Sequence, residues 1–153
     1  MKRFLLVPIL VAVAALATHA QVQDANLNQA LEKYDRAFRN KDTDAIRSLL
    51  APAVLLYEHS VRNSGLQDVF ENHLKPEISE FENLQIEFSD VRITPGTDLA
   101  LVTRQYNIRG KLGGKDINAS GNETMVWSRM GADWKILHIH YSHPCPTPSA
   151  PAK

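Results

Sequence analysis

Between residues 84 and 142 the chain runs in long stretches of Val, Ile, Thr and aromatic residues, broken by turn signals at Pro95-Gly96, Gly110 to Gly114 and Gly131-Ala132-Asp133. Runs of that composition, ended by Gly and Pro, read as strands joined in antiparallel hairpins. Four are expected, at about 84–94, 98–109, 116–130 and 133–142. The preceding part has another period. Leu27, Ala30, Leu31, Tyr34, Ala37 and Phe38 recur at helical spacing over 26–39, and Ala45, Ile46, Leu49 and Leu50 form the face of a second, short helix. Asp42 or Thr43 can cap that second helix, and Pro52 stops it. Residues 54–59 read as a further strand. Ser64 followed by Gln67 has the form of a capping box, opening a third helix with Leu66, Val69, Phe70, His73 and Leu74 on one stripe. Pro76 is expected to kink or end it. Helices first and a meander afterwards is the α+β pattern.

Residues 1–20, MKRFLLVPILVAVAALATHA, have a basic start, an apolar run from Phe4 to Ala17 and a small-residue ending, which is the form of a secretory signal peptide cut before Gln21. The run is shorter than the roughly 20 residues that cross a bilayer. A soluble domain at 21–143 and a flexible Pro-rich tail at 144–153 are expected, in the periplasm or secreted. One domain with one core suits that length. With Lys2 and Arg3 removed the chain is close to neutral and its signs are mixed, so no nucleic-acid footprint and no membrane partner are expected. Cys145 is the sole cysteine, which excludes an internal disulfide. It lies between two prolines with no fixed base beside it, a poor setting for a nucleophile.

The stretch ALEKYDRAFRNKDTDAIRSLLAP, a G-x-E-T-M-V-W hairpin and a closing WKILHIHYS resemble the NTF2-like superfamily, in particular its SnoaL-like and ketosteroid-isomerase-like branch. The resemblance spans about residues 26–143. It implies a cone: a strongly curved, mostly antiparallel sheet wrapped around three N-terminal helices, with a pocket open at one end. It also implies a small-molecule ligand and an isologous homodimer. Aligned through the N-K-D-T-D turn, it brings Tyr34 to the tyrosine position and Glu58 to the base position of a ketosteroid-isomerase-like pocket, with Glu123 near the later carboxylate. Glu stands where that pattern has Asp, so steroid chemistry is not implied.

The remaining candidates come from the residues themselves. On an ideal strand Trp134, Ile136, His138 and His140 share one face, while Lys135, Leu137, Ile139 and Tyr141 share the other. Both faces are apolar enough to be covered, one by the cone and one by a second copy. His73 lies on an apolar helical stripe, so it should point inward. His143 falls beyond the strand and is expected to be exposed. Two readings of the site follow. In the first, Glu58, its pKa raised by desolvation, acts as the acid/base, with Tyr34 or His73 donating to a developing oxyanion, while Trp127, Glu123, His138 and His140 wall the ligand site without a cofactor. In the second, Glu58, His73 and His140 converge on Zn, Cu or Ni. A third reading, a purely structural association domain, needs no converging ionisable groups.

Overall fold

The computed structural model describes residues 25–143. The signal peptide at 1–20, the Pro-rich tail at 144–153 and Cys145 lie outside the described residues. Among those described, helix α1 (residues 25–39) buries the stripe Leu27, Leu31, Tyr34, Ala37 and Phe38. Helix α2 (Thr43–Leu49) is capped by Asp42, whose Oδ1 accepts from the Ala45 amide at 2.9 Å. Strands β1 (Leu50–Glu58) and β2 (Val61–Ser64) follow as a tight hairpin. Helix α3 then runs through Leu66–Val69, Phe70–Leu74 and Lys75–Glu80.

The capping box does not form. Gly65 occupies the N-cap position at φ 84° with no side-chain cap, and Ser64 belongs to β2. The Ser64 amide instead donates to Asp68 Oδ2 at 2.9 Å, so Asp68 takes the amide that a capping box assigns to Gln67. Pro76 does not end the helix either. The preceding Phe70–Leu74 turn is a π-bulge, which re-spaces the backbone bonds so that Pro76 falls in the first turn of the next α segment, where a missing N–H costs little. His73 sits on that bulge.

Strands β3 (Glu82–Pro95), β4 (Leu99–Leu112), β5 (Lys115–Met130) and β6 (Asp133–Ser142) complete a sheet in the order β2-β1-β6-β5-β4-β3. Every neighbouring pair is antiparallel except β1 and β6, which run parallel. Register shifts in β3 beside Asn83 and Asp90, both at positive φ, bend the outer strands inward. The helices fill the concave face, and the core joins α1, α2 and α3 to Val54, Leu56, Val102, Met125, Trp127 and Ile136. This is the α+β cone with a mostly antiparallel sheet. The end of β6 lies so close over β5 that a Cβ on Gly121 would overlap the Ser142 carbonyl and the Tyr106 ring. Only a glycine admits that approach.

One irregularity decides what β6 presents. Val126 pairs with His138 and Trp127 with Ile136, so Leu137 is an extra residue without a partner on β5. A bulge of one residue reverses the facing of everything after it. Trp134 and Ile136 point into the core as expected, but past the bulge Ile139 and Tyr141 point in, and His138 and His140 point out.

Candidate pocket and its ionisable mouth

A cavity of about 300 Å³ opens inside the cone. Its wall is mostly apolar, from Phe38, Phe81, Ile86, Phe88, Ile108 and Ile117 among others, and its polar groups are Glu58, Glu77, Glu123, Tyr106, Tyr141 and His143. The combination of an apolar concavity with a few convergent polar groups is the usual form of a small-molecule site.

Glu58 ends β1, the strand that pairs with β6, and enters this cavity beside His73. His73 Nε2 lies 3.0 Å from Glu58 Oε2 and 3.6 Å from Glu77 Oε2, without the alignment of a full hydrogen bond to either. On the other side of the ring, Nδ1 is 3.1 Å from Asn63 Oδ1. That amide is oriented by Asp68 Oδ1, which accepts from Asn63 Nδ2 at 3.2 Å and from Asn72 Nδ2 at 2.9 Å. With the Asn63 oxygen thus turned toward the ring, Nδ1 must donate. Nε2 faces the Glu58 carboxylate at the shorter distance, which favours an N–H there too. The surroundings thus favour hydrogen on both nitrogens, the imidazolium form of His73. Its pKa is raised above 6.5, first by Glu58 and against the opposing effect of burial.

The same contact pulls Glu58 below its ordinary 4.5, with burial opposing and with His143 and His59 adding to the fall. The rise expected from desolvation is therefore outweighed by the imidazolium. Glu77 behaves oppositely. Burial and the nearby charge of Glu58 push it up to about 7, despite the pull of His73. Two carboxylates at one mouth thus differ in protonation at neutral pH, which is the arrangement that divides acid from base.

Deeper in the cone, Tyr34 is fully buried and does not line the cavity; its hydroxyl is 2.8 Å from that of Tyr141, which does. Burial raises both phenols, and it raises Tyr106, also in the wall, to about 12. When Tyr34 donates, the Tyr141 hydrogen can turn to the Glu123 carboxylate, which also draws on that hydroxyl. Glu123 reaches the wall from β5, but its carboxylate is held by Arg104 Nε, and Arg104 Nη1 donates to Asp35 at 2.6 Å. Burial lowers the Arg104 pKa, and the two carboxylates more than offset it. The guanidinium lies over the Phe88 ring at 3.5 Å.

The structure brings Glu58 and His73 together and places Glu123 at the wall, whereas Trp127 is core, edge-on to Tyr34. His138 and His140 are not pocket groups, and His140 cannot join Glu58 and His73 in one metal shell. His138 packs its ring edge-on against Tyr57 on the outer face, and burial, then His140, lowers its pKa. His143 is in the wall instead, with Nε2 3.5 Å from Glu58 Oε1, so it is not the free surface group expected of a residue past the strand. Glu77, Tyr141, Arg104 and His59 were not singled out from the sequence. The i,i+4 spacing of His73 and Glu77 was the one signal that could have found any of them.

The SnoaL-like domain family matches residues 27–146. The chain belongs to that family. Among solved structures it is similar to a proposed ketosteroid isomerase from Shewanella frigidimarina, at 25% identity and TM-score 0.67, over 74% of this chain and 92% of that one. It also resembles a proposed NTF2-like dehydratase from Streptomyces avermitilis, at 20% identity and TM-score 0.71, over 82% of this chain and 99% of that one. A third is an NTF2-like superfamily protein from Salmonella enterica, at 17% identity and TM-score 0.71, over 89% of this chain and 99% of that one. The last two carry the fold alone. No curated protein sequence matches the chain. Within the SnoaL-like family, then, this member has a pocket mouth built from Glu58, His73 and Glu77.

A carboxyl whose pKa rises from 4.5 to about 7 on folding favours the protonated native state, so its stabilising effect is present below pH 4.5 and lost as pH rises through 7. Glu77→Gln should therefore gain stability relative to the parent chain between pH 4.5 and 7.5. Thermal melts of both proteins at the two pH values check this, and a melting-temperature gap that does not widen in the variant's favour contradicts it.

Proposed function

We propose that the chain binds an apolar or mixed-polarity small molecule in the cone and moves a proton with the carboxylates at its mouth. The observation that carries the reading is the pairing of a largely apolar cavity with two carboxylates of opposed ionisation, Glu58 held charged by His73 and Glu77 poised near neutral pH. A catalytic acid or base works best with a pKa near the working pH, which favours Glu77 over Glu58 as the group that gives or takes the proton. Glu58 then keeps the local field negative and holds His73. Tyr106, a neutral phenol in the wall, is the donor best placed for a ligand oxygen, since Tyr141 is shared between Tyr34 and Glu123 and Tyr34 does not reach the cavity.

A neutral naphthalene-type fluorophore tests this reading. Binding should be weakened at least tenfold by Ala119→Phe, which fills the cavity. It should also fall as pH rises through 7, because ionised Glu77 sets a second charge beside an apolar guest, and Glu77→Gln should remove that pH dependence. Binding indifferent to Ala119→Phe would place the probe elsewhere and end the pocket reading. An unchanged pH profile in Glu77→Gln would end the acid/base reading.

We further propose a homodimer through the outer face of the sheet. Leu101, Val126, His138 and Leu55 lie side by side across β4, β5, β6 and β1 on that face, and Leu101 is 40% exposed. Ile139, expected on a partner-facing surface, is fully buried in the core and takes no part. Leu101→Lys should convert a dimer to a monomer by light scattering, and a parent chain that is monomeric at every concentration would remove the proposal.

A further inference from the structure

We propose that Glu58, His59 and His143 form a divalent-metal site at the rim of the cavity, one suited to Zn²⁺. The β1–β2 hairpin turns at His59 and Ser60, since Glu58 pairs with Val61, and the end of β6 runs alongside. His59 Nε2 and His143 Nε2 lie 2.6 Å apart, their rings 3.9 Å apart and nearly perpendicular at 84°. His143 Nε2 is 3.5 Å from Glu58 Oε1, and the three ligating atoms all fall within 4.8 Å of one another. Zinc bonds of about 2.0 Å in a tetrahedral shell put ligand atoms roughly 3.3 Å apart, so closing this shell takes side-chain adjustments of an ångström or so. Two imidazoles and one carboxylate, with a fourth position left open, is a donor set that zinc uses where it also meets a ligand. Here the open side is the cavity, because Glu58 and His143 both line it.

Three further features favour this triad. His59 has φ 50°, a left-handed conformation that costs a non-glycine residue about 1–2 kcal/mol, yet the turn uses histidine there. Glu58 divides its oxygens: Oε2 faces His73, which fixes the carboxylate, and Oε1 faces His143. A ligating carboxylate held from its other oxygen, here by the ion-pair contact with His73, is an arrangement metal sites use. A second group, Glu58 with His73 and Glu77, also lies within bonding range of one ion. There His73 already faces two carboxylates as a cation, and a metal would have to displace its proton. His59 and His143, by contrast, offer two ring nitrogens to one another, of which only one can donate.

The site goes beyond the acid/base reading and does not depend on it, since metal titration needs no pocket ligand. Chelator-treated full-length protein should bind one Zn²⁺ per chain by calorimetry. Affinity should fall at least tenfold in His59→Ala, in His143→Ala and in Glu58→Gln, and should hold within about twofold in His140→Ala, a change on the outer face. Co²⁺ in place of Zn²⁺ should give the visible absorption of a tetrahedral N/O site, lost in His143→Ala. His59 and His143 lie at a turn and beyond the last strand, so those variants should keep the parent circular dichroism. Absence of stoichiometric binding overturns the proposal. So does binding that survives His143→Ala, or that is lost in His140→Ala.

Discussion

A carboxylate partly removed from water needs a cation or several donors beside it, because the effective penalty for desolvating an ion is roughly several kcal/mol. Glu58 meets that requirement through His73 Nε2 at 3.0 Å, and much of the mouth follows from that contact. His73 is held from behind by Asn63, and Asn63 by Asp68, so a charge on the surface of α3 fixes the proton inventory of a ring in the cone. Glu77 lies one turn along the same helix. With Glu58 already ionised, it resists carrying a second negative charge at the same place. The π-bulge at Phe70–Leu74 belongs to the same account, since it places His73 in the helix that carries Glu77.

At the inner end of the cone a second ionic group does structural work. Arg104, Glu123 and Asp35 tie β4, β5 and α1 together, and the guanidinium on Phe88 extends the tie to β3. A buried pair of this kind contributes less to net stability than its charges suggest. Losing one member is severe, on the order of 3–5 kcal/mol, since the other is left unpaired. The cavity therefore sits between two charged clusters of different character: a closed one that joins elements, and one at the mouth whose protons can move.

The sheet and helices were legible in the sequence because periodicity reports directly on which face is buried. Alternation in the four long runs and the stripe Leu27, Leu31, Tyr34, Phe38 both required a core on one side. Short-range events were not legible. A single unpaired residue, Leu137, reverses the facing of the rest of β6, so His138 and His140 leave the cone while Tyr141 and His143 enter its wall. Nothing in Ile136-Leu137-His138 distinguishes a bulged leucine from a regular one, because every neighbour is compatible with either face. β2 was missed for a related reason: one valine followed by the polar Arg62, Asn63 and Ser64, mostly exposed, shows no buried alternation, and what marks Val61–Ser64 as a strand is pairing with β1. Glu58 and His73 could be paired as inward-facing groups. Glu77 was within reach through its i,i+4 spacing from His73, whereas His59 needed the turn that brings it to the end of β6, a three-dimensional fact.

The central claim is that His73 is a cation locked between Glu58 and Asn63 that holds Glu58 charged, while burial and that neighbouring charge raise Glu77 against the pull of the same ring. Nitrogen-15 chemical shifts of the imidazole side chains, read at pH 6.5, where an ordinary histidine is half protonated, test it most directly. The account predicts that both His73 nitrogens report the protonated ring in the great majority of molecules. A neutral His73 carrying hydrogen on Nδ1 alone would contradict it, since a bare Nε2 could not hold Glu58 below its ordinary pKa.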